Sequence, residues 1–200
     1  MIDSNEALRV LYPPAKERAL RKQLGHLDRH CLRFIGLSPF VVLASGSSGN
    51  RYDASPRGGD PGFVRAPDSA TLLIPDAPGN NRLDTLENII GTGRLGLLFL
   101  IPGVDETLRI NGRARLSDEQ ALLAKFSGEK RTPKLIIEVK VEDVYLHCAK
   151  ALMRSKLWDA GRKMDRAVLP TMGQMINDQT GIQAPAETQE QMVERYKPDL

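Results

Sequence analysis

Two hundred residues at 22.1 kDa suit one domain with a real core and are too few for two comfortable ones. The 28 Lys+Arg against 25 Asp+Glu leave a formal charge of +3 with no basic block, and aromatics at 5% are thin for base stacking, so nucleic-acid binding is disfavoured. Two Cys exclude a disulfide framework and a four-Cys zinc site, and 41% hydrophobic with 26% charged residues fits a soluble globular chain.

The first residues lack the apolar run of a signal peptide, and no apolar stretch approaches the roughly 18 residues of a membrane span. Two free thiols without an export signal make the cytoplasm the expected location. Asp3 or Ser4 caps a predicted helix over Glu6 to Tyr12, which Pro13-Pro14 stops. A second helix is expected from Ala15 to Ile35, with Leu20, Leu24, Leu27, Cys31 and Ile35 on one stripe. Gly36 and Pro39 close it.

From Phe40 the pattern turns to strands. Phe40 to Ser45 is a short apolar run, the turn Gly46 to Asn50 follows, and Arg51 to Ala54 returns as the hairpin partner. Ser55 to Gly62 is expected to be an irregular loop, since its prolines and glycines suit neither ladder nor helix. Phe63-Val64-Arg65 and Ala70 to Ile74 read as strands, with a Pro-Asp turn between them. A loop from Pro75 to Asn81 leads to a helix over Arg82 to Ile90, then a buried strand over Arg94 to Ile101. In Glu106 to Leu116 the apolar Leu108, Ile110, Gly112, Ala114 and Leu116 alternate with Thr107, Arg109, Asn111, Arg113 and Arg115, as in a half-buried strand. Ser117-Asp118-Glu119 caps a short helix through Leu123, Leu135 to Cys148 alternates again, and a helix follows from Ala149 to Trp158. The polar tail has helical patches around Met172 to Ile176 and Glu187 to Tyr196. A β-rich middle with short turns between helical ends predicts a mainly β fold, an antiparallel barrel or sandwich with flanking helices.

Several familiar chemistries are missing. His26 and His30 stand at i and i+4 of the expected helix, but Leu27 replaces the Glu of a zincin and no further ligand is near, so they read as surface histidines. Gly91-Thr92-Gly93 precedes a strand rather than a helix, the wrong order for a dinucleotide turn, and Gly46-Ser47-Ser48-Gly49 lacks the nucleophile-elbow spacing. Three segments remain. Ser55-Pro56-Arg57-Gly58-Gly59 sets a hydroxyl, a guanidinium and glycine amides together, as a phosphate cradle needs, although a solvated loop has the same composition. Gly79-Asn80-Asn81-Arg82 delivers an Arg to a helix start, where an ordinary Asn cap is the plainer alternative. His147 to Trp158 carries the single Trp and four basic residues just after the last long strand.

Taken in order, these segments resemble the pyridoxamine 5′-phosphate oxidase-like split-barrel flavoproteins, and within them an uncharacterised FMN-dependent, PPOX-type subgroup. The residues that carry the likeness are Phe40 to Ser45, Asp53 to Gly58, Pro61 to Val64, Gly79 to Ile89, Arg94 to Phe99, Thr107 to Gly112 and His147 to Ala151, with Arg154-Ser155 and Leu157-Trp158. The resemblance implies a six-stranded antiparallel split barrel over residues 37–160, a helical segment over 1–36 and a helical extension over 161–200 packing on the same domain. It implies a homodimer with FMN across the subunit interface. Ala54, Ser55, Pro56 and Arg57 would lie along the flavin and its phosphate. Asn81 and Arg82 stand where the family's oxidases place an Arg-Lys pair on the phosphate. Thr107 stands where they carry a Gln that reaches the flavin from the second subunit, and Lys150, Ser155 and Trp158 look like C-terminal flavin contacts. The Arg-x-His ending of the vitamin B6 oxidases is not found in Glu194 to Leu200. The function implied is an FMN-dependent oxidoreductase of unstated substrate. Alternatives are a non-catalytic flavin-binding or sensor protein, or a barrel holding F420 or haem. No residue stands out as the catalytic acid or base. Both thiols are expected to be buried small hydrophobes.

Overall fold

The computed structural model describes every residue except Ala77, Pro78, Asn80, Arg131 and Leu200; Asn80 of the Gly79 to Arg82 segment therefore lies outside the described residues. The chain divides into two compact units, Met1–Trp158 and Asp159–Leu200.

The first unit is built on one antiparallel sheet. In chain order its strands are β1 (Phe40–Gly46), β2 (Tyr52–Gly58), β3 (Arg65–Asp68), β4 (Thr71–Pro75), β5 (Arg94–Leu100), β6 (Thr107–Ser117) and β7 (Ile136–His147). They form a seven-stranded sheet in the order β2-β1-β5-β6-β7-β4-β3, so β2 and β3 are its two edges. The mainly β, split-barrel expectation stands, with one strand more than six. Among the described residues, six α-helices accompany the sheet: α1 (Asn5–Leu11), α2 (Glu17–Arg21), α3 (Arg29–Leu37), α4 (Asp84–Thr92), α5 (Gln120–Leu123) and α6 (Lys150–Ser155).

The long helix expected over Ala15 to Ile35 is broken in two. Between α2 and α3, Leu24 exchanges both backbone hydrogen bonds with Val144 of β7, at 2.9 and 2.8 Å, and the Leu27 N–H donates to the Ser69 carbonyl at 2.7 Å. Asp28 then caps α3, its carboxylate accepting from the backbone of His30 and Cys31 at 3.0 and 2.8 Å. Those bonds hold the Asp28 carboxyl below its ordinary pKa. The apolar stripe survives only in part: Leu27, Cys31 and Ile35 are buried, while Leu20 is 60% exposed. The break also takes His26 off the helix, so His26 and His30 do not share a face.

The second correction concerns Ser55 to Gly58, which is strand rather than irregular loop. Ser55, Pro56, Arg57 and Gly58 pair with Leu43, Val42, Val41 and Phe40 of β1. Pro56 is tolerated because β2 is an edge, where a missing N–H breaks no second ladder. Phe63 and Val64 lie outside strands but are buried, and the turn falls at Ser69-Ala70, after the expected Pro-Asp.

The core joins both halves of the sheet to the helices. Val41 and Leu43 of β1, Phe99 of β5, Leu108 and Ile110 of β6, Val139 and Val144 of β7, Leu72 and Ile74 of β4 and Ile35 of α3 belong to one buried cluster with Leu86 and Ile89 of α4. Each large side chain so removed from water contributes about 1.5–3 kcal/mol before the entropy of ordering it. A smaller cluster sets Leu73 and Ile136 against Leu123 and Phe126. At the bulge between Asn111 and Gly112, a Cβ on Gly112 would collide with the Lys140 carbonyl, so only glycine fits this close approach of β6 to β7.

The second unit holds α7 (Met172–Thr180) and α8 (Gln189–Tyr196), near both predicted patches. Thr171 caps α7, and Thr188 with Gln191 forms a capping box on α8. Among the described residues no helix is long and apolar enough to cross a membrane.

Candidate functional site

Strand β2 supplies the first part of the site. The strand period turns Asp53, Ser55 and Arg57 inward, half-buried, and leaves Ala54, Pro56 and Gly58 exposed on the opposite face. The four predicted residues from Ala54 to Arg57 are therefore shared between two surfaces of one edge strand.

On the inner face Asp53 is a hub. Its carboxylate accepts from the Ser55 hydroxyl at 3.2 and 3.0 Å, from the Thr85 hydroxyl at 2.6 Å and from the Ser45 hydroxyl at 3.4 Å. Ser45 accepts in turn from the Asn88 side-chain amide at 2.9 Å. Ser45 and Thr85 are 6% and 2% exposed, so their hydroxyls could not be left unpaired without cost. Thr85 and Asn88 both belong to α4, so this network joins β1 and β2 to the helix that follows the Arg82 segment.

The second part is the entry to α4. Asn81 is exposed with φ of 59°, a left-handed turn position that asparagine tolerates. Arg82 is exposed and pairs with Asp84 at 3.1 Å. Because Thr85 is bonded to Asp53, this segment runs directly beside β2. Asn81 and Arg82 thus precede a helix whose first turn is bonded to Asp53 of β2, four residues before Arg57. Arg57 donates to the Pro56 carbonyl at 2.9 Å. Its guanidinium also favours the charged form of Asp76, just past β4, although burial dominates and pushes that carboxyl up.

The remaining predicted residues gather elsewhere. Thr107 opens β6 opposite His147 and is 8% exposed. Lys150 is the exposed first residue of α6, and Ser155 its exposed last, with the hydroxyl donating to the Leu152 carbonyl at 3.0 Å. Trp158 is half-buried, its indole N–H donating to the Val104 carbonyl at 2.9 Å in the loop before β6. Since β1 and β5 lie between β2 and β6, the strand that carries Thr107 is three strands, about 14 Å along the sheet, from β2.

Between them runs an apolar surface. On the outward face Gly58, Phe40 and Leu100 form one row, Pro56, Val42 and Leu98 the next, and Ala54, Ala44 and Gly96 the third. Phe40 and Leu98 are each 37% exposed, large for strand residues facing away from a core.

The thiols divide. Cys31 is buried, and desolvation pushes its pKa up to about 11. Cys148 is exposed, contrary to expectation, because β7 ends at His147 and the chain turns outward there before α6. Among the described residues no group of three His, Cys, Asp or Glu could hold a metal ion. Sequence reasoning missed Asp53, Thr85, Ser45 and Asn88 as a unit; with Ser55 read as loop, its place beside Asp53 on one strand face gave no signal.

The sequence profile of a family described as pyridoxamine 5′-phosphate oxidase matches residues 27–148. No curated protein matches the chain. Among solved structures, HupZ from Group A Streptococcus is 17% identical with a TM-score of 0.51, over 60% of this chain and 93% of its own. An FMN-binding protein from Syntrophomonas wolfei is 12% identical with a TM-score of 0.46, covering 72% of this chain and 92% of that one. The FAD-binding protein from Mycobacterium smegmatis is 13% identical with a TM-score of 0.43, covering 62% and 97%. The profile spans the whole sheet, from Leu27 before α3 to Cys148 after β7, and HupZ shares the fold. This chain belongs to the pyridoxamine 5′-phosphate oxidase family.

Proposed function

We propose that this chain is an FMN-binding protein that acts as a flavin-dependent oxidoreductase, in the form of a cytoplasmic homodimer with the cofactor held between subunits. One observation supports the reading: the Asp53–Thr85 contact joins the strand that carries Arg57 to the start of the helix that follows Asn81 and Arg82. A phosphate dianion requires charge-assisted donors of this kind, and the residues present fit it. Bound FMN would supply hydride or electron transfer, and the protein's part is to bind and orient it.

The dimer follows from two features. The apolar rows around Val42 and Leu98 are a surface that a second copy would cover, excluding water. Thr107, Lys150, Ser155 and Trp158 lie some strands away from Arg57 within one chain, so contacts from both groups to one cofactor are natural when the second group comes from the other copy. The FMN-binding protein of Syntrophomonas wolfei and the FAD-binding protein of Mycobacterium smegmatis bind flavins by name, which agrees with the reading.

The test is the visible spectrum of the purified protein with its sedimentation. A flavin band at about 450 nm in a dimer supports the proposal, whereas a band at about 420 nm or a Soret band would replace FMN with a deazaflavin or haem. A monomer holding stoichiometric flavin would remove the shared site. Turnover of bound flavin by NAD(P)H and an acceptor distinguishes an enzyme from a binder.

A further inference from the structure

The Asp53 network has a feature that a simple cradle does not need. Three hydroxyl groups converge on one carboxylate at the edge where the phosphate is proposed to sit. An ionised carboxylate only accepts hydrogen bonds, and each hydroxyl has one hydrogen to give. The hydrogens of Ser55 and Thr85 are therefore committed to Asp53. A fixed negative charge beside a phosphate opposes binding through its field alone. Some gain must offset that cost, and the connectivity shows which. Ser55 lies on β2 with Arg57, while Thr85 lies in the first turn of α4, three residues after Arg82. The Thr85 contact is the shortest in the network, at 2.6 Å, and its hydroxyl is buried. Ser45 and Asn88 repeat the connection one turn further along α4.

We propose that Asp53 is a positioning residue: by accepting the Ser55 and Thr85 hydroxyls it fastens the start of α4 to β2 and so places Arg82 beside Arg57 for a phosphate-bearing ligand. This rests on the assignment of Arg82 to the FMN phosphate made above. Asp53 itself touches no ligand, and its charge works against the anion that it helps to seat. The clamp lowers the reorganisation needed on binding, because the start of α4 is already fastened to the strand that carries Arg57.

The experiment uses full-length protein stripped of flavin and titrated with FMN and with riboflavin, which lacks the phosphate. Thr85→Val removes the hydroxyl without altering charge and keeps a similar shape. It should weaken FMN by about 5- to 10-fold and riboflavin by less than about 2-fold, the scale of one ordinary hydrogen bond, since the loss reaches the ligand only through Arg82. Thr85→Ser keeps the hydroxyl and should restore the wild-type ratio. Arg82→Ala should cost less FMN affinity in the Thr85→Val background than in wild type, since a positioning residue acts through the group it positions. Asp53→Ala supplies a test of sign: it removes both the charge and the acceptor, so if the like charge dominated it would tighten FMN, whereas loss of the clamp weakens it. Melting curves show that each variant is folded.

Equal weakening of both ligands by Thr85→Val, or tighter FMN binding by Asp53→Ala, overturns the clamp while Arg82 keeps its role. If Arg82→Ala leaves the FMN to riboflavin ratio unchanged, the phosphate assignment fails and the clamp fails with it.

Discussion

Replacing Arg82 with alanine removes one guanidinium from the proposed phosphate cradle. Arg82 pairs with Asp84 across side chains that are 74% and 51% exposed, so this pair contributes about 0–1 kcal/mol. A charge-assisted contact to phosphate contributes about 1.5–3 kcal/mol. Giving up the Asp84 pair on binding leaves a net of about 0.5–3 kcal/mol, or about 2- to 160-fold in FMN affinity. Titration by quenching of flavin fluorescence measures it directly. Riboflavin should bind the wild type poorly and respond little to the substitution. Arg113→Ala is the control for charge: Arg113 pairs with Glu142 at 3.1 Å on the outer surface of β6 and β7, away from β2. Equal loss of FMN and riboflavin by Arg82→Ala would mean a disturbed fold rather than a lost phosphate contact. Unchanged FMN affinity would remove Arg82 from the site and leave the segment as an ordinary helix entry.

Three further outcomes are expected. Leu98→Asp places a charge in the middle row of the apolar face and should convert the dimer to monomer in sedimentation, with loss of bound flavin; a dimer unaffected by it would move the interface elsewhere. Asp28→Ala removes the cap of α3 and should lower stability by about 1 kcal/mol at neutral pH, while Asp28→Asn largely keeps it. Because the folded Asp28 pKa is depressed, that stability is present above the ordinary carboxylate value of about 4 and is lost as pH falls through the lower folded value; denaturation at pH 7 and pH 3 should therefore show the wild-type advantage shrinking. At neutral pH a thiol reagent should label Cys148 rapidly and Cys31 only on unfolding, since Cys31 is buried with its pKa at about 11.

The strands were legible because their signal is local. Alternation along Thr107 to Leu116 and Leu135 to Cys148 requires no knowledge of partners, and β6 and β7 form nearly where that pattern lies. Two elements were misread because long-range contacts overrode a local pattern. The Leu20 to Ile35 stripe has helical spacing, yet Leu24 is held extended by Val144, which lies 120 residues further along the chain. Pro56 and Gly58 read as loop because proline is incompatible with a central strand, but residue types do not reveal that β2 is an edge.

The same distinction governs the site. Arg57 and Arg82 could be singled out by chemistry, since guanidinium groups near glycine and asparagine fit an anion wherever the chain puts them. Asp53 offers no such signal, because an acidic residue argues against a phosphate when only its neighbours in sequence are considered. Its role depends on Thr85, 32 residues away, and on the antiparallel pairing that sets Ser45 directly across from it. In the proposed cradle, divided between an edge strand and a helix entry, the donors would supply the chemistry and a half-buried acceptor would fix their separation. The acceptor becomes visible only once the strands are paired. Asp53 therefore has to be judged by the sign of its effect on FMN: if its removal weakens binding, geometry outweighs the like charge that it brings to the anion.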